Sequence, residues 1–188
     1  RFKVPSVMLI AQISDTHIPR KGTKTYEIAP MAENLAQCVD HINQHNPKPD
    51  VVLVTGDITH SGQSEEFTHA AELLNPLKMP FYVIPGNHDD RDLLRSIFDK
   101  RVCLVESAPK IDYVIENEEL RLIALDSTRA GNPGGEITLA QAQWLNEKLT
   151  EQPSQPTLVF MHHPPINCGV LETDVDGFIG KELLGDVI

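Results

Sequence analysis

PFYVIPGNHDDR, residues 80–91, sets an apolar, β-branched and aromatic run directly against an amide, an imidazole and two carboxylates. The first half reads as a buried strand, and the second places groups capable of chemistry at its carboxyl end. Alone, the stretch would be no more than a strand and a turn. The form recurs, however. VMLIAQIS (7–14) runs into SDTH, VVLVTG (51–56) into GDITH, RLIALDS (121–127) ends in Asp126 and Ser127, and TLVFMHH (157–163) ends in paired histidines.

Helical patterns lie between these runs. Met31, Leu35, Cys38 and Ile42 follow Pro30 at helical spacing, and Phe67, Ala70, Leu74 and Leu77 repeat the pattern. Thr138 with Gln141 forms a capping box ahead of Leu139, Ala142, Leu145 and Leu149. Strands alternating with helices predict an α/β fold with parallel strands, helices on the sheet, and ligands beyond the carboxyl ends of the strands. KIDYVIENEELRLIALDS (110–127) departs from the alternation: two strands joined by a polar turn predict an antiparallel hairpin, hence a mixed or second sheet. Met79, Phe81, Phe98 and Trp144 are expected in the core or between helix and sheet. The 188 residues fit one domain, 1–188, with no repeat and no linker.

A formal net charge of −11 argues against a nucleic-acid polymer or an anionic membrane as partner. An anionic substrate must then be attracted locally, and bound divalent metals would do this while using acidic side chains. Cys38, Cys103 and Cys168 are scattered and odd in number, which suits neither a disulfide framework nor a thiolate metal knot and predicts a reducing, cytoplasmic setting. VMLIAQI is too short to cross a bilayer. The chain opens on Arg1, which leaves export open at this end, and homo-oligomerisation is left open too.

Four of the five strand ends carry metal-capable groups: Asp15 and His17, Asp57, Asn87 and His88, and His162 and His163. If strand geometry persists past SDTH, Asp15 and His17 point to one side. Gly56 permits a tight turn ahead of Asp57. Carboxylate, imidazole and amide together suit Mn²⁺, Fe²⁺/³⁺, Co²⁺ or Zn²⁺, whereas Mg²⁺ or Ca²⁺ would call for oxygen ligands throughout.

The order DxH, GD, GNHD, HHPP, each after an apolar strand, resembles the calcineurin-like metallophosphoesterases. GDITHSG, GNHDDR and MHHPP are most similar to the branch that holds class III cyclic-nucleotide phosphodiesterases and glycerophosphodiesterases. The resemblance covers about Val7 to Pro165. It implies a four-layer α/β/β/α sandwich and two metal ions, Mn and Fe first, with Zn or Co also compatible. Asp15 and His17 would hold one metal, Asp57 would bridge, and Asn87 and His162 would hold the other. His88 would contact the phosphoryl oxygens and assist the leaving group, with Asp89 orienting it. The implied reaction is hydrolysis of a cyclic nucleotide or other small phosphodiester by metal-activated hydroxide. The alternatives are a glycerophosphodiesterase or phosphomonoesterase of the same family, or a non-catalytic metal-binding fragment.

Chemistry alone does not separate His162 from His163. The family's HxP pattern matches His162 with Pro164 and leaves His163 as a pocket wall or a support to the ligands. His60 is expected either to contact substrate or to pack its loop, and Arg91 either to meet a phosphate or to pair with a nearby carboxylate. Asp126 is expected to organise the pocket through hydrogen bonds, and His41 and His45 to be ordinary exposed histidines. The family's GHxH motif has no match after HHPP, and the expectation is a sandwich truncated at its C-terminus.

Overall fold

The computed structural model describes residues 8–101, 109–117 and 119–188. In chain order its elements are β1 (Ile10–Ile13), α1 (Met31–Gln44), β2 (Val51–Thr55), α2 (Ser64–Leu74), β3 (Phe81–Ile84) and α3 (Arg91–Ile97). There follow β4 (Tyr113–Ile115), β5 (Arg121–Ala124), β6 (Gly135–Glu136), α4 (Leu139–Glu151), β7 (Thr157–Phe160), α5 (Leu171–Asp176), β8 (Phe178–Ile179) and α6 (Lys181–Gly185). Cys103 lies outside the described residues.

The first sheet is parallel, in the order β1-β2-β3. The second, β4-β5-β7, is mixed: the 110–127 hairpin pairs antiparallel (Tyr113 opposite Ala124), and β5 pairs parallel with β7. The hairpin therefore opens a second sheet, and that sheet is itself mixed. Every residue of β2 is buried, as expected of a central strand covered on both faces. β5 shows the sandwich most clearly. Leu122 and Ala124 join the main core with Val52, Val54 and Val83 of the first sheet, while Ile123 and Leu125 pack with Ala142 and Leu145 of α4. Alternate residues of one strand thus face different layers, the period-2 consequence of the pleat. The Tyr113 hydroxyl donates to the Val83 carbonyl at 2.7 Å, so the two sheets are also joined by a buried hydrogen bond. The result is the α/β/β/α sandwich.

The helices follow their sequence signals with departures at Cys38, Leu77 and the exposed Leu139. α4 carries the Thr138–Gln141 capping box, and α2 has a second one from Gln63 and Glu66. On α1 the buried stripe is Leu35, Val39 and Ile42, and Cys38 is exposed; Leu77 is buried in the turn beyond α2. Phe81 and Phe98 are buried in the core, while Trp144 is only partly covered. Beyond the HHPP loop the chain forms α5, β8 and α6, and β8 pairs in parallel with β6. Among the described residues no helix is long and apolar enough to cross a membrane.

Candidate metal centre

The carboxyl ends of β1, β2, β3 and β7 converge on one cleft of about 380 Å³. Asp15, Asp57, Asn87, His162 and His163 line it on the strand side, and residues of the 164–181 segment line it on the other. Parallel pairing aligns β1, β2 and β3, and the His162 Nδ1–H donates to the Thr55 carbonyl at 2.8 Å, pinning the end of β7 to the end of β2.

Strand geometry does not persist through SDTH. β1 stops at Ile13, and Asp15 (φ 56°) and His17 (φ 40°) both enter the left-handed region, as does Asp57 (φ 48°). Each non-glycine residue held there costs on the order of 1–3 kcal/mol, a strain tolerated when the surroundings fix the residue. Here they do: Asp15 and His17 N–H donate to the carbonyls of Gly56 and Asp57 at 3.1 and 2.9 Å, so two strained loops hold each other. At Gly86 a Cβ would stand 2.2 Å from the Asp57 amide nitrogen, so the GNHD loop approaches the GD loop this closely only with glycine.

Asp57 is buried at the centre. Its Oδ2 lies 3.6 Å from His17 Nε2, and its Oδ1 lies 3.6 Å from His162 Nε2. These separations are too long for hydrogen bonds, yet they suit donor atoms that share a cation at about 2.0–2.2 Å from each. With Nδ1 of His162 committed to a carbonyl, its Nε2 lone pair is left facing Asp57, the usual way a ligating histidine is oriented. Two groups could hold a metal: Asp15, Asp57 and His162, and His17, His60 and His88. Within each, the donor atoms lie within 4.8 Å of one another. Nδ1 of both His17 and His60 is buried without a hydrogen-bond partner. Burial lowers the His17 pKa, with Asp57 opposing, and so favours the neutral imidazole that metal coordination requires. The residues present fit a two-metal centre.

His88 donates from its backbone N–H to Asp57 Oδ1 at 2.9 Å, and its Nδ1–H donates to the His60 carbonyl at 2.7 Å. The expectation that Asp89 orients His88 is corrected by these contacts. Both Asp89 oxygens are taken by other groups: the N–H of Ile58 (3.0 Å), Thr59 (2.9 Å) and Gly86 (2.9 Å) and the Thr59 hydroxyl (2.7 Å). Burial raises the Asp89 pKa and these four donors oppose the rise. Asp89 thus staples the GD loop to the GNHD loop.

The contacts of Arg91 and His163 lie within the protein. Arg91 forms an ion pair with buried Asp126 at 2.6 Å and also donates to the Thr128 carbonyl at 2.7 Å, so its guanidinium is committed within the protein. Asp126, its pKa lowered by Arg91 against the effect of burial, further accepts from the N–H of Ile111 and Thr128. His163 Nε2–H donates to the Pro133 carbonyl (3.0 Å) and its Nδ1 accepts from Ser127 Oγ (2.9 Å). Both ring nitrogens are therefore occupied, and His163 is a wall of the cleft. Burial, followed by the neighbouring His162, pushes its pKa down to about 4.

His60 faces His88 in a stacked arrangement at 6.4 Å and meets Tyr26 edge-on at 4.8 Å. Tyr26 was not foreseen. It lies in the loop after DTH at φ 51°, and no motif marks it in the sequence. Also unforeseen was the far wall of the cleft, including Pro133, Gly134, Phe178 and Lys181, which comes from segments too short to show a periodic pattern.

Comparison with known proteins is consistent with this geometry. The family model for calcineurin-like phosphoesterases matches residues 8–184. A probable glycerophosphodiester phosphodiesterase from Arcobacter nitrofigilis is 39% identical over 182 residues, 96% of this chain and 66% of the relative. A glycerophosphodiester phosphodiesterase from Enterobacter lignolyticus is 36% identical, covering 89% and 60% of the two chains. A cAMP/cGMP dual specificity phosphodiesterase from Mycobacterium tuberculosis is 31% identical, covering 84% and 50%. The chain therefore spans about half to two thirds of the length of these relatives. A purple acid phosphatase from yellow lupin seeds shares the fold at a TM-score of 0.56 and 13% identity, over 87% of this chain and 31% of the other.

Proposed function

The chain belongs to the calcineurin-like phosphoesterase family, and from that premise we propose that it hydrolyses small phosphodiesters at a two-metal centre. The observation that carries the reading is Asp57, whose two carboxylate oxygens stand between His17 and His162 at equal distances of 3.6 Å. By the family pattern Asp15 and His17 would hold one ion and Asn87 and His162 the other, with Asp57 shared, whereas the donor atoms here gather as Asp15, Asp57 and His162 and as His17, His60 and His88; Mn²⁺ and iron lead, and Zn²⁺ or Co²⁺ suits the same donors. When bound, the ions supply Lewis-acid polarisation of the phosphoryl oxygens and a water acidified towards neutral pH.

The protein's own groups do the rest. His88, its Nδ1–H held by the His60 carbonyl, presents Nε2 as the atom that carries a proton to the leaving alkoxide. Asp89 fixes the loops that position Asp57 and His88, and His163 closes the cleft wall beside His162. His60 meets His17 edge-on and stacks with His88, beside the metal-capable groups.

Among small phosphodiesters we place glycerophosphodiesters ahead of cyclic nucleotides. The relatives named for the former share 39% and 36% identity with the chain, against 31% for the dual specificity cyclic-nucleotide enzyme. The test is turnover of glycerophosphocholine and of 3′,5′-cyclic AMP by the full-length protein after chelation and reloading with Mn²⁺. Metal-dependent release of glycerol 3-phosphate or the alcohol is expected, with slower or no release of AMP. Preference for cyclic AMP would reverse the substrate order, and no metal-dependent hydrolysis of either would sink the reading.

A further inference from the structure

The cleft wall opposite the metal-capable groups is held in place by specific backbone contacts. β6 and β8 pair in parallel, the Gly135 N–H donates to the Gly177 carbonyl at 3.0 Å, and the Ile137 N–H donates to the Ile179 carbonyl at 2.9 Å. Gly180 then turns at φ 79°, and a Cβ there would stand 2.2 Å from the Ile137 carbonyl oxygen. This glycine-only approach delivers the next residue, Lys181, to the lining of the cleft.

Lys181 is the one lysine or arginine among the described lining residues, which include Asp15, Asp57, Asp174 and Asp176. Asp174 is engaged by the backbone N–H groups of Cys168 (2.8 Å) and Gly169 (3.0 Å). Asp176 lies on the same wall, yet no ion pair joins it to Lys181 among the described residues. Lys181 is thus an exposed lysine on a cleft wall whose lining also carries four aspartates, within a chain of net charge −11. An ammonium offers three donors and no acceptor, so its natural ligand is an anion. On the phosphodiester reading the metal-capable groups would serve the reacting phosphoryl group, and they lie across the cleft on the strand side.

We propose that Lys181 determines specificity by binding a second anionic group on the non-reacting arm of the substrate, favouring phosphodiesters with an acidic arm over those with a neutral one. This rests on the phosphodiester reading above. In so acidic a cleft a second anion is otherwise repelled, and a charge-assisted contact offsets that repulsion.

The test uses two 4-nitrophenyl phosphodiesters whose second arm is either pentyl or 4-carboxybutyl, assayed with the Mn²⁺-loaded full-length protein. In Lys181→Ala, KM for the carboxylate-armed diester should rise by about tenfold with kcat within about twofold, while the pentyl diester is unaffected. Lys181→Arg should restore most of the loss, and Lys181→Glu should deepen it. Equal KM changes on both diesters, or none on either, would overturn the proposal. If the wild type turns over neither diester, the phosphodiester reading itself fails. Calorimetric binding of the carboxylate-armed phosphonate analogue then decides Lys181 independently: about a tenfold loss of affinity in Lys181→Ala supports it, and an unchanged affinity overturns it.

Discussion

Asp57 and His88 sit together, joined by the His88 N–H donating to Asp57 Oδ1 at 2.9 Å, yet they carry different roles. Asp57 offers its two oxygens to two histidines, so Asp57→Ala should lower Mn²⁺ affinity by at least about a hundredfold, since even residues that only support ligands cost about 10–100-fold. Hydrolysis should vanish with the metal, and equilibrium dialysis with elemental analysis reads the binding directly. His88→Ala should leave metal content near that of the wild type while kcat falls by about 10²–10⁴, the usual contribution of a positioned acid or base. A parallel loss of metal would make His88 a ligand instead, in keeping with its place in the His17, His60 and His88 group. The candidate ligands were legible because each follows an apolar strand. The left-handed backbone at Asp15 and His17 was not, because alternation along SDTH suggests continued strand and nothing local announces a turn imposed by the neighbouring GD loop.

Elements come together here through loop-to-loop contacts that carry no periodic signal. Asp89 lies 31 and 30 residues from Ile58 and Thr59, and only the fold brings its oxygens onto their amides. Asp89→Ala would leave three backbone donors unpaired, and a loss of about 3 kcal/mol in denaturant unfolding is expected, together with weaker Mn²⁺ binding. Asp89→Asn should show a smaller stability loss, because its amide oxygen still accepts. Gly86→Ala places a Cβ against Asp57 and should abolish metal binding even where the protein still folds, which circular dichroism and metal analysis together would show. The main strands and helices were visible in their apolar periodicities, and the hairpin in its polar turn. The β6–β8 ladder was not: each strand has two residues, below any repeat, and it joins positions more than forty apart. A carboxylate partner for Arg91 was among the expectations, but that it is Asp126 was hidden for the same reason, the two being separated by 35 residues.

For the molecule as a whole, the sandwich joins its layers through buried polar groups, and one of these makes stability depend on pH. Asp112 accepts from the Asp126 N–H and from Gln141 Nε2 between β4, β5 and α4, and burial raises its pKa from 3.8 to about 6. A carboxyl raised in the folded state contributes stability that is full below its unfolded pKa and lost as pH rises through the folded value. The loss across about pH 4 to 6 amounts to up to roughly 3 kcal/mol. Asp112→Asn keeps the accepting oxygen and removes the titration, so its unfolding midpoint should lack this fall; identical pH profiles would refute the assignment. The most direct test of the central claim is the metal content of the full-length protein after chelation and reconstitution with Mn²⁺, measured beside Asp57→Ala. A shared carboxylate between two sites requires about two ions per chain in the wild type and a marked loss of both in the variant. One ion or none in the wild type, or a content unchanged by Asp57→Ala, would contradict it.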